Sequence, residues 1–101
     1  MPYVLYISPR AQKSFRKFPK NIRKQLIKEI LILEEKPDIG TPLKGKFRLF
    51  RALHIKLINV QYRVVYRIDP INKDIEIKGL GTRENFYSQL ETMKIKPLKE
   101  K

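Results

Sequence analysis

Hydrophobic residues recur with two different periods in the two halves of this chain. In residues 9–35 the apolar side chains are three or four positions apart, which is typical of amphipathic helices. In residues 47–80 apolar and polar positions alternate, as they do in half-buried strands. Helices followed by a run of strands indicate an α+β domain.

The first half begins with a β-rich segment, residues 2–7, which predicts a strand. Ser8 and Pro9 are a favourable N-cap and first helical residue, so a helix is expected over residues 9–18, where Pro19 ends it. Asn21 is a possible cap for a second helix over residues 21–35. The apolar stripe of this helix consists of Ile22, Leu26, Ile30 and Leu33, and it is widened by Ile27 and Leu31. Residues 36–42, with two prolines and a glycine, are a breaker segment between the two halves.

The second half predicts three strands. A strand over residues 47–57 has one face with Phe47, Leu49, Leu53, Ile55 and Leu57, and the other with Arg48, His54 and Lys56. After a turn at residues 58–59, a strand over residues 60–68 buries Val60, Tyr62, Val64, Tyr66 and Ile68, and presents Gln61, Arg63, Val65 and Arg67. A last strand over residues 74–80 and a short helix over residues 84–90 complete the pattern.

These elements predict an α+β fold in which a two-helix hairpin packs on one face of a mainly antiparallel four-stranded sheet. The other face of the sheet is left uncovered, and it carries most of the cationic strand residues. Residues 1–93 are expected to form a single domain, and residues 94–101 a basic, flexible tail.

The charge of the chain is strongly positive, and it is concentrated in one stretch. The 101 residues carry a net charge of +13, and residues 39–68 contain no Asp or Glu. A positive field on a sheet with no neighbouring carboxylates is typical of a surface that binds a polyanion. The candidate nucleic-acid contacts outside the catalytic set below are Lys44, Lys46, Arg48, Arg51 and Arg67. The alternative is a lysine-rich, solvated surface that reflects composition alone.

Several classes of protein are disfavoured by the composition. The chain has no cysteine and one histidine, so neither a thiolate zinc site nor another metal site is expected, and no cofactor is implied. It contains no apolar run of membrane-spanning length and no start typical of a signal peptide. We expect a cytoplasmic protein that does not bind membranes.

Three motifs follow one another in the second half of the chain. They are Leu43-Lys44-Gly45, the run from Leu53-His54-Ile55-Lys56-Leu57 through Tyr62-Arg63-Val64-Val65-Tyr66, and Leu80-Gly81-Thr82-Arg83-Glu84-Asn85-Phe86-Tyr87. Together they resemble the RelE/ParE superfamily of toxins from toxin–antitoxin pairs. The resemblance spans about residues 3–92. The separate motifs are short, but their order, spacing and basic character agree. The resemblance implies a RelE-like fold.

The same resemblance implies a metal-independent cleavage of mRNA in the ribosomal decoding site, by attack of a ribose 2′-hydroxyl on the adjacent phosphate. By position, Arg63 matches the arginine that stabilises the phosphate, Arg83 the proposed general acid, and Tyr87 the tyrosine that orients the base. The lysine pair of ribosome-dependent members falls on His54 and Lys56. Imidazole, with an ordinary pKa of about 6.5, is a better proton acceptor at neutral pH than a lysine amine.

The implied partners are the ribosome with its rRNA and mRNA, and a cognate antitoxin that is acidic and partly disordered. Two other functions fit the same fold: inhibition of DNA gyrase, as by ParE, and simple binding of an antitoxin or nucleic acid by a non-toxic relative. Simpler roles also exist for single residues. Arg63 could pair with Glu76 across the sheet, and Tyr87 could pack in the core.

Overall fold

Five strands form one mixed sheet, and two helices pack against one of its faces. The computed structural model describes residues 2–82. Along the chain the elements are β1 (Val4–Ile7), α1 (Pro9–Arg16), α2 (Lys20–Ile30), β2 (Thr41–Pro42), β3 (Arg51–Leu57), β4 (Val60–Asp69) and β5 (Asp74–Thr82). Short 3-10 helices lie at Leu31–Glu34 and Gly45–Phe47. The predicted helix over residues 84–90 and the tail over residues 94–101 lie outside the described residues.

The strand order is β1-β5-β4-β3-β2, and only the β1–β5 pair is parallel. The α+β class and the two-helix layer are confirmed, but the prediction of four strands is wrong. Thr41 and Pro42, which were expected to belong to the breaker segment, pair with Ala52 and Arg51 as a short edge strand. Proline is tolerated there because an edge strand needs no N–H donor on its outer side.

Each helix begins at or next to a proline: α1 starts at Pro9, and α2 starts directly after Pro19. Ser8 caps α1 by accepting a hydrogen bond from the Ala11 N–H at 3.2 Å, as its sequence position predicts. The predicted Asn21 cap is wrong, since α2 starts directly after Pro19 without a side-chain cap. Within residues 2–82 no helix is long and apolar enough to span a membrane.

The main core lies between the helices and the sheet. The predicted stripe is confirmed by Leu26 and Ile30 of α2 and by Leu33, which are at most 5% exposed. They belong to one cluster with sheet residues Ile55, Tyr62, Val64, Tyr66, Ile75, Ile77 and Leu80. The predicted helix end at residue 35 is wrong, since α2 ends at Ile30 and Leu33 lies in the 3-10 helix that follows. The proposed widening of the stripe is wrong, because Ile27 and Leu31 are 44% and 47% exposed.

The opposite face of the sheet is partly covered, contrary to the prediction. The chain forms a 3-10 helix at Gly45–Phe47 instead of extending as a strand, so β3 starts four residues later than expected. This segment folds over the sheet and buries Phe50 against Ala52 and Val65. Two further residues expected to be inward, Leu49 and Val60, are 50% and 40% exposed.

A buried tyrosine hydroxyl holds the loop that leads into β2. Tyr66 is fully buried, and its hydroxyl donates to the Pro37 carbonyl at 2.6 Å and accepts from the Gly40 N–H at 2.9 Å. From the other side, Arg51 Nη1 donates to the carbonyls of Asp38 at 3.0 Å and Gly40 at 2.8 Å. We call this arrangement of Tyr66, Arg51 and residues 37–40 the loop clamp. It determines where β2 and the following segment lie on the sheet.

The turn between β3 and β4 contains a strained residue. Ile58 has a φ of 56° and is 81% exposed, so it adopts a left-handed conformation without being packed in the core. A β-branched residue is disfavoured in this region, where glycine or asparagine is usual. The hairpin therefore forms despite the residue at its tip.

Replacing Ile58 by glycine should stabilise the protein. The left-handed conformation costs a non-glycine residue roughly 1–2 kcal/mol, and glycine avoids this cost. Part of the gain is offset because glycine makes the unfolded chain more flexible. We expect Ile58→Gly to raise the free energy of unfolding by about 0.5–1 kcal/mol, measured by urea denaturation. Ile71→Gly is the matched control, because Ile71 is 89% exposed in the β4–β5 turn and its own φ is not positive, so this change should not stabilise. Equal effects of both substitutions would contradict the strain at Ile58.

Gly40 and Tyr66 should behave as one unit in stability measurements. A Cβ on Gly40 would lie 2.5 Å from the Tyr66 hydroxyl oxygen. We expect Gly40→Ala and Tyr66→Phe each to lower the free energy of unfolding by about 1–3 kcal/mol, through steric clash and loss of buried hydrogen bonds respectively. The double variant should lose less than the sum by at least about 0.5 kcal/mol, because removal of the hydroxyl removes the shortest contact of the added Cβ and leaves the one with Cε1 at 2.8 Å. Strict additivity would show that the two residues are not coupled.

Burial of Tyr66 should make the protein sensitive to alkaline pH. Burial raises the pKa of the Tyr66 hydroxyl above its ordinary value of 10.0, against the smaller lowering effects of the Gly40 hydrogen bond and Arg51. The folded state therefore keeps the proton that the unfolded state releases, so stability is complete below pH 10 and falls as the pH rises further. Above pH 10, Tyr66→Phe should reduce the steepness of this fall by up to about 1.4 kcal/mol per pH unit. Identical slopes in the variant and the unaltered protein would contradict the assignment.

Candidate functional site

His54 and Arg63 lie directly opposite each other on the sheet face away from the helices. They are a register pair of β3 and β4, which places their Cα atoms about 5 Å apart. His54 is exposed and Arg63 is half-buried. The predicted strand register is confirmed at these two positions, since their neighbours Ile55, Tyr62 and Val64 point into the core.

An open groove of about 440 Å³ runs beside this pair. Its described lining consists of Thr41, Pro42, Leu43, Lys44, Phe47, His54 and Arg63. One wall is the segment that folds over the sheet, whose Leu43 and Phe47 pack on the small core around Phe50. The groove therefore depends on the loop clamp, because the clamp holds the chain immediately before Thr41.

The described lining of the groove is cationic. Lys44, His54 and Arg63 belong to it, and no Asp or Glu is among the residues of 2–82 that line it. In a groove of this kind a phosphate group would meet a guanidinium and an ammonium group, with an imidazole beside them. Within the described residues no group of three His, Asp or Glu side chains is arranged to hold a metal ion.

Three other predicted basic residues are exposed, one on strand β3 and two at the short 3-10 helix. Lys56 is exposed on β3 and shares the face of His54. Lys46 and Arg48 are exposed in and after the short helix Gly45–Phe47, and the Lys46 ammonium lies 5.4 Å from the Phe47 ring centroid. Arg48 was expected in a strand, and the structure places it in a turn instead.

Two predicted phosphate contacts are engaged within the protein. Arg51 holds the loop clamp through two backbone carbonyls. Arg67 is 4% exposed and forms an ion pair with Glu76 at 3.1 Å, while Lys78 lies 3.5 Å from the same carboxylate. The predicted alternative, an ion pair between Arg63 and Glu76, is wrong. The register places Arg67 opposite Glu76.

Arg83 and Tyr87 lie outside the described residues. The strand that leads toward them, β5, ends at Thr82 and pairs Gly81 with Arg63. The described chain thus ends beside the His54–Arg63 pair.

Sequence reasoning missed the apolar wall of the groove and the loop clamp. Residues 36–42 were interpreted only as a breaker segment, although Gly40 is the position where a side chain would meet Tyr66. A glycine directly before an edge strand was the one available signal. The partner, Tyr66, is 26 residues away along the chain, so local patterns could not identify it.

The comparisons with known proteins agree with this geometry. A family model described as "ParE-like toxin of type II bacterial toxin-antitoxin system" matches residues 5–91. A search of the curated proteins found no match.

Three solved structures are similar to this chain. The RelBE2 toxin–antitoxin complex from Mycobacterium tuberculosis has a chain with 22% identity and a TM-score of 0.74, covering 82% of this chain and 100% of that chain. A free E. coli RelE carrying two arginine-to-alanine changes has 24% identity and a TM-score of 0.72, covering 91% and 93%. The isolated E. coli RelE toxin has 29% identity and a TM-score of 0.68, covering 88% and 93%.

The fold is thus RelE-like, with two helices and a five-stranded mixed sheet. Since the family model spans most of the sequence, the chain belongs to the ParE-like toxins of type II bacterial toxin–antitoxin systems.

Proposed function

We propose that this toxin is a ribosome-dependent mRNA endoribonuclease that needs no metal ion. The observation that carries the proposal is the His54–Arg63 pair beside a cationic groove. A gyrase inhibitor needs a binding surface but has no need of a proton acceptor next to a phosphate-binding arginine. The pair supplies two of the functions that RNA cleavage requires.

The reaction would begin with removal of a proton from a ribose 2′-hydroxyl by the His54 imidazole. The 2′-oxygen then forms a bond to the adjacent phosphorus, and the bond from phosphorus to the 5′-oxygen breaks. The products are a 2′,3′-cyclic phosphate and a 5′-hydroxyl, whose proton comes from an acid. The resemblance to RelE assigns this last role to Arg83.

Arg63 would stabilise the negative charge that develops on the non-bridging phosphate oxygens. Its half-buried position favours this role, because a guanidinium that is partly shielded from water interacts more strongly with an anion. Lys44, in the opposite wall of the groove, would hold the neighbouring phosphate, and the exposed Lys56 would guide the RNA along β3.

The ribosome would supply what this small site lacks. In-line attack requires the 2′-oxygen, the phosphorus and the leaving oxygen to be aligned, and a flexible RNA seldom adopts that geometry unaided. An mRNA held in the decoding site offers a fixed target, and the exposed cations Lys46 and Arg48 would contact rRNA. A cognate antitoxin that is rich in acidic residues would inhibit the toxin by covering these groups. RelE toxins are found with antitoxins in the solved complexes from M. tuberculosis and E. coli.

Inhibition of DNA gyrase is the second candidate. It is favoured by one observation, the match to a family model of ParE-like toxins. The third possibility, a non-toxic relative that only binds an antitoxin or nucleic acid, would leave both translation and DNA supercoiling unaffected.

Removal of either member of the pair should abolish cleavage while leaving the fold intact. We expect Arg63→Gln to reduce the cleavage rate by about 10²–10³-fold, the usual effect of losing a group that stabilises transition-state charge. His54→Gln should reduce it by about 10²–10⁴-fold through loss of the proton acceptor. The measurement is primer extension on mRNA in a reconstituted translation reaction, with circular dichroism as the check on folding.

Lys28→Gln is the matched control, because it removes one positive charge from an exposed position of α2, away from the groove. It should cleave at nearly the unaltered rate. Intact mRNA with the unaltered protein would overturn the nuclease proposal. In that case, a supercoiling assay with purified gyrase would distinguish the ParE-like function from an inactive relative.

A further inference from the structure

The tip of the β3–β4 hairpin carries a residue that the fold does not explain. Ile58 has a φ of 56° and is 81% exposed, so it gains little from packing and has an unfavourable backbone conformation. The other residue with a positive φ, Lys73, differs because its ammonium group lies 5.3 Å from the Tyr3 ring centroid. The two-residue turn imposes the positive φ but does not explain why the residue is an isoleucine, and strained residues are concentrated at functional sites.

The position of Ile58 relates it to the cationic face. Lys56 lies two residues before it and His54 four residues before it, both exposed on the same face of β3. At a rise of about 3.3 Å per residue, the hairpin tip is about 13 Å along the strand from His54. Val60, on the other side of the turn, is 40% exposed and extends the apolar tip. An RNA strand that follows β3 from the groove would therefore reach Ile58.

We propose that Ile58 is a wedge that inserts between two adjacent bases of the bound mRNA and unstacks them. This inference rests on the proposed function, because it takes single-stranded RNA as the ligand of the cationic face. Proteins that bind the minor groove of duplex DNA insert isoleucine, leucine or phenylalanine between base steps, and the same chemistry applies to two stacked bases of a single strand. Here Lys56 and the His54–Arg63 pair would hold the backbone, and the apolar tip would separate the bases. The unstacked nucleotide is then free to rotate toward in-line geometry.

The surroundings of Ile58 favour RNA over an apolar pocket on a protein. The chain has no Asp or Glu from residue 39 to residue 68, so β3, the tip and β4 as far as Ile68 carry no negative side chain. Asn59 and Gln61, beside the wedge, offer hydrogen-bonding groups suited to base edges. A hairpin that inserts into a protein pocket would need no such continuous positive approach.

The wedge can be tested by fluorescence without any cleavage. Ribosomes are programmed with a synthetic mRNA that carries 2-aminopurine in the decoding-site codon and 2′-deoxyribose in all three of its nucleotides. This codon lacks the attacking 2′-hydroxyl, so the signal reports binding and unstacking alone. The emission of 2-aminopurine rises when stacking is lost. We expect the unaltered protein to raise it at least about twofold, since a wedge removes a stacking neighbour from the probe.

Ile58→Gly should bind the programmed ribosomes with a dissociation constant within about threefold of the unaltered value, because the phosphate contacts that dominate affinity remain. It should give little rise in fluorescence. Ile71→Gly, which removes an equally exposed isoleucine from the β4–β5 turn, should behave as the unaltered protein. With an all-ribose codon, Ile58→Gly should cleave at least about tenfold more slowly through loss of in-line geometry, although it is the more stable protein.

An equal fluorescence rise with Ile58→Gly would overturn the wedge, and so would the absence of any rise with the unaltered protein. Loss of ribosome binding in Ile58→Gly would also overturn it, and would indicate that the tip contacts a ribosomal protein or rRNA instead. A fluorescence rise that depends on Ile58, without cleavage of the all-ribose codon by the unaltered protein, would support the wedge and reject the nuclease.

Discussion

The hydroxyl of Tyr66 is the interaction on which the groove depends. It lies at the centre of the sheet, in the main core, and holds both the carbonyl of Pro37 and the N–H of Gly40. Burial of a polar group without partners is costly, so the loop and the tyrosine stabilise each other. Because Thr41 follows Gly40 directly, this hydroxyl in the core also determines where residues 41–47, which form one wall of the groove, lie on the sheet. Arg51 completes this restraint from the solvent side.

The two arginines of β4, Arg63 and Arg67, have different surroundings. Arg67 is balanced by Glu76 and serves the stability of the sheet. Arg63, four residues earlier on the same strand, borders a groove whose described lining is free of carboxylates. On the proposed function, β4 thus carries one arginine that stabilises the sheet and one that binds a phosphate group. Composition alone treats them as equivalent, and only the strand register distinguishes them.

Much of the fold could be predicted from the chain because its signals are local. Ser8 before Pro9 marks a helix start, and the stripe through Leu26, Ile30 and Leu33 marks the buried side of the second helix. The pairing of His54 with Arg63 also follows from alternation and a two-residue turn. These features depend on residues within one helix or one hairpin, where spacing determines geometry.

The errors arose where distant residues decide the structure. Residues 47–50 alternate as a strand would, yet Phe47 and Phe50 gain more by folding back over Val65. The edge strand at Thr41–Pro42 forms because the loop clamp brings it beside β3, and two residues are too few to give a periodic signal. The partner of Arg67 was missed because the local pattern does not determine how β4 and β5 align, and the alignment places Arg67, not Arg63, opposite Glu76.

The order of the strands has a consequence for biosynthesis. β5 lies between β1 and β4, so the strand made last among those described occupies an interior place in the sheet. During translation, β1 and β4 each lack this neighbour until residue 82 has left the ribosome, and the carrier strand of Arg63 is an exposed edge. A nascent chain is therefore an incomplete toxin. On the proposed function, the ribosome that synthesises the protein is protected from it until β5 has left the ribosome and joined the sheet.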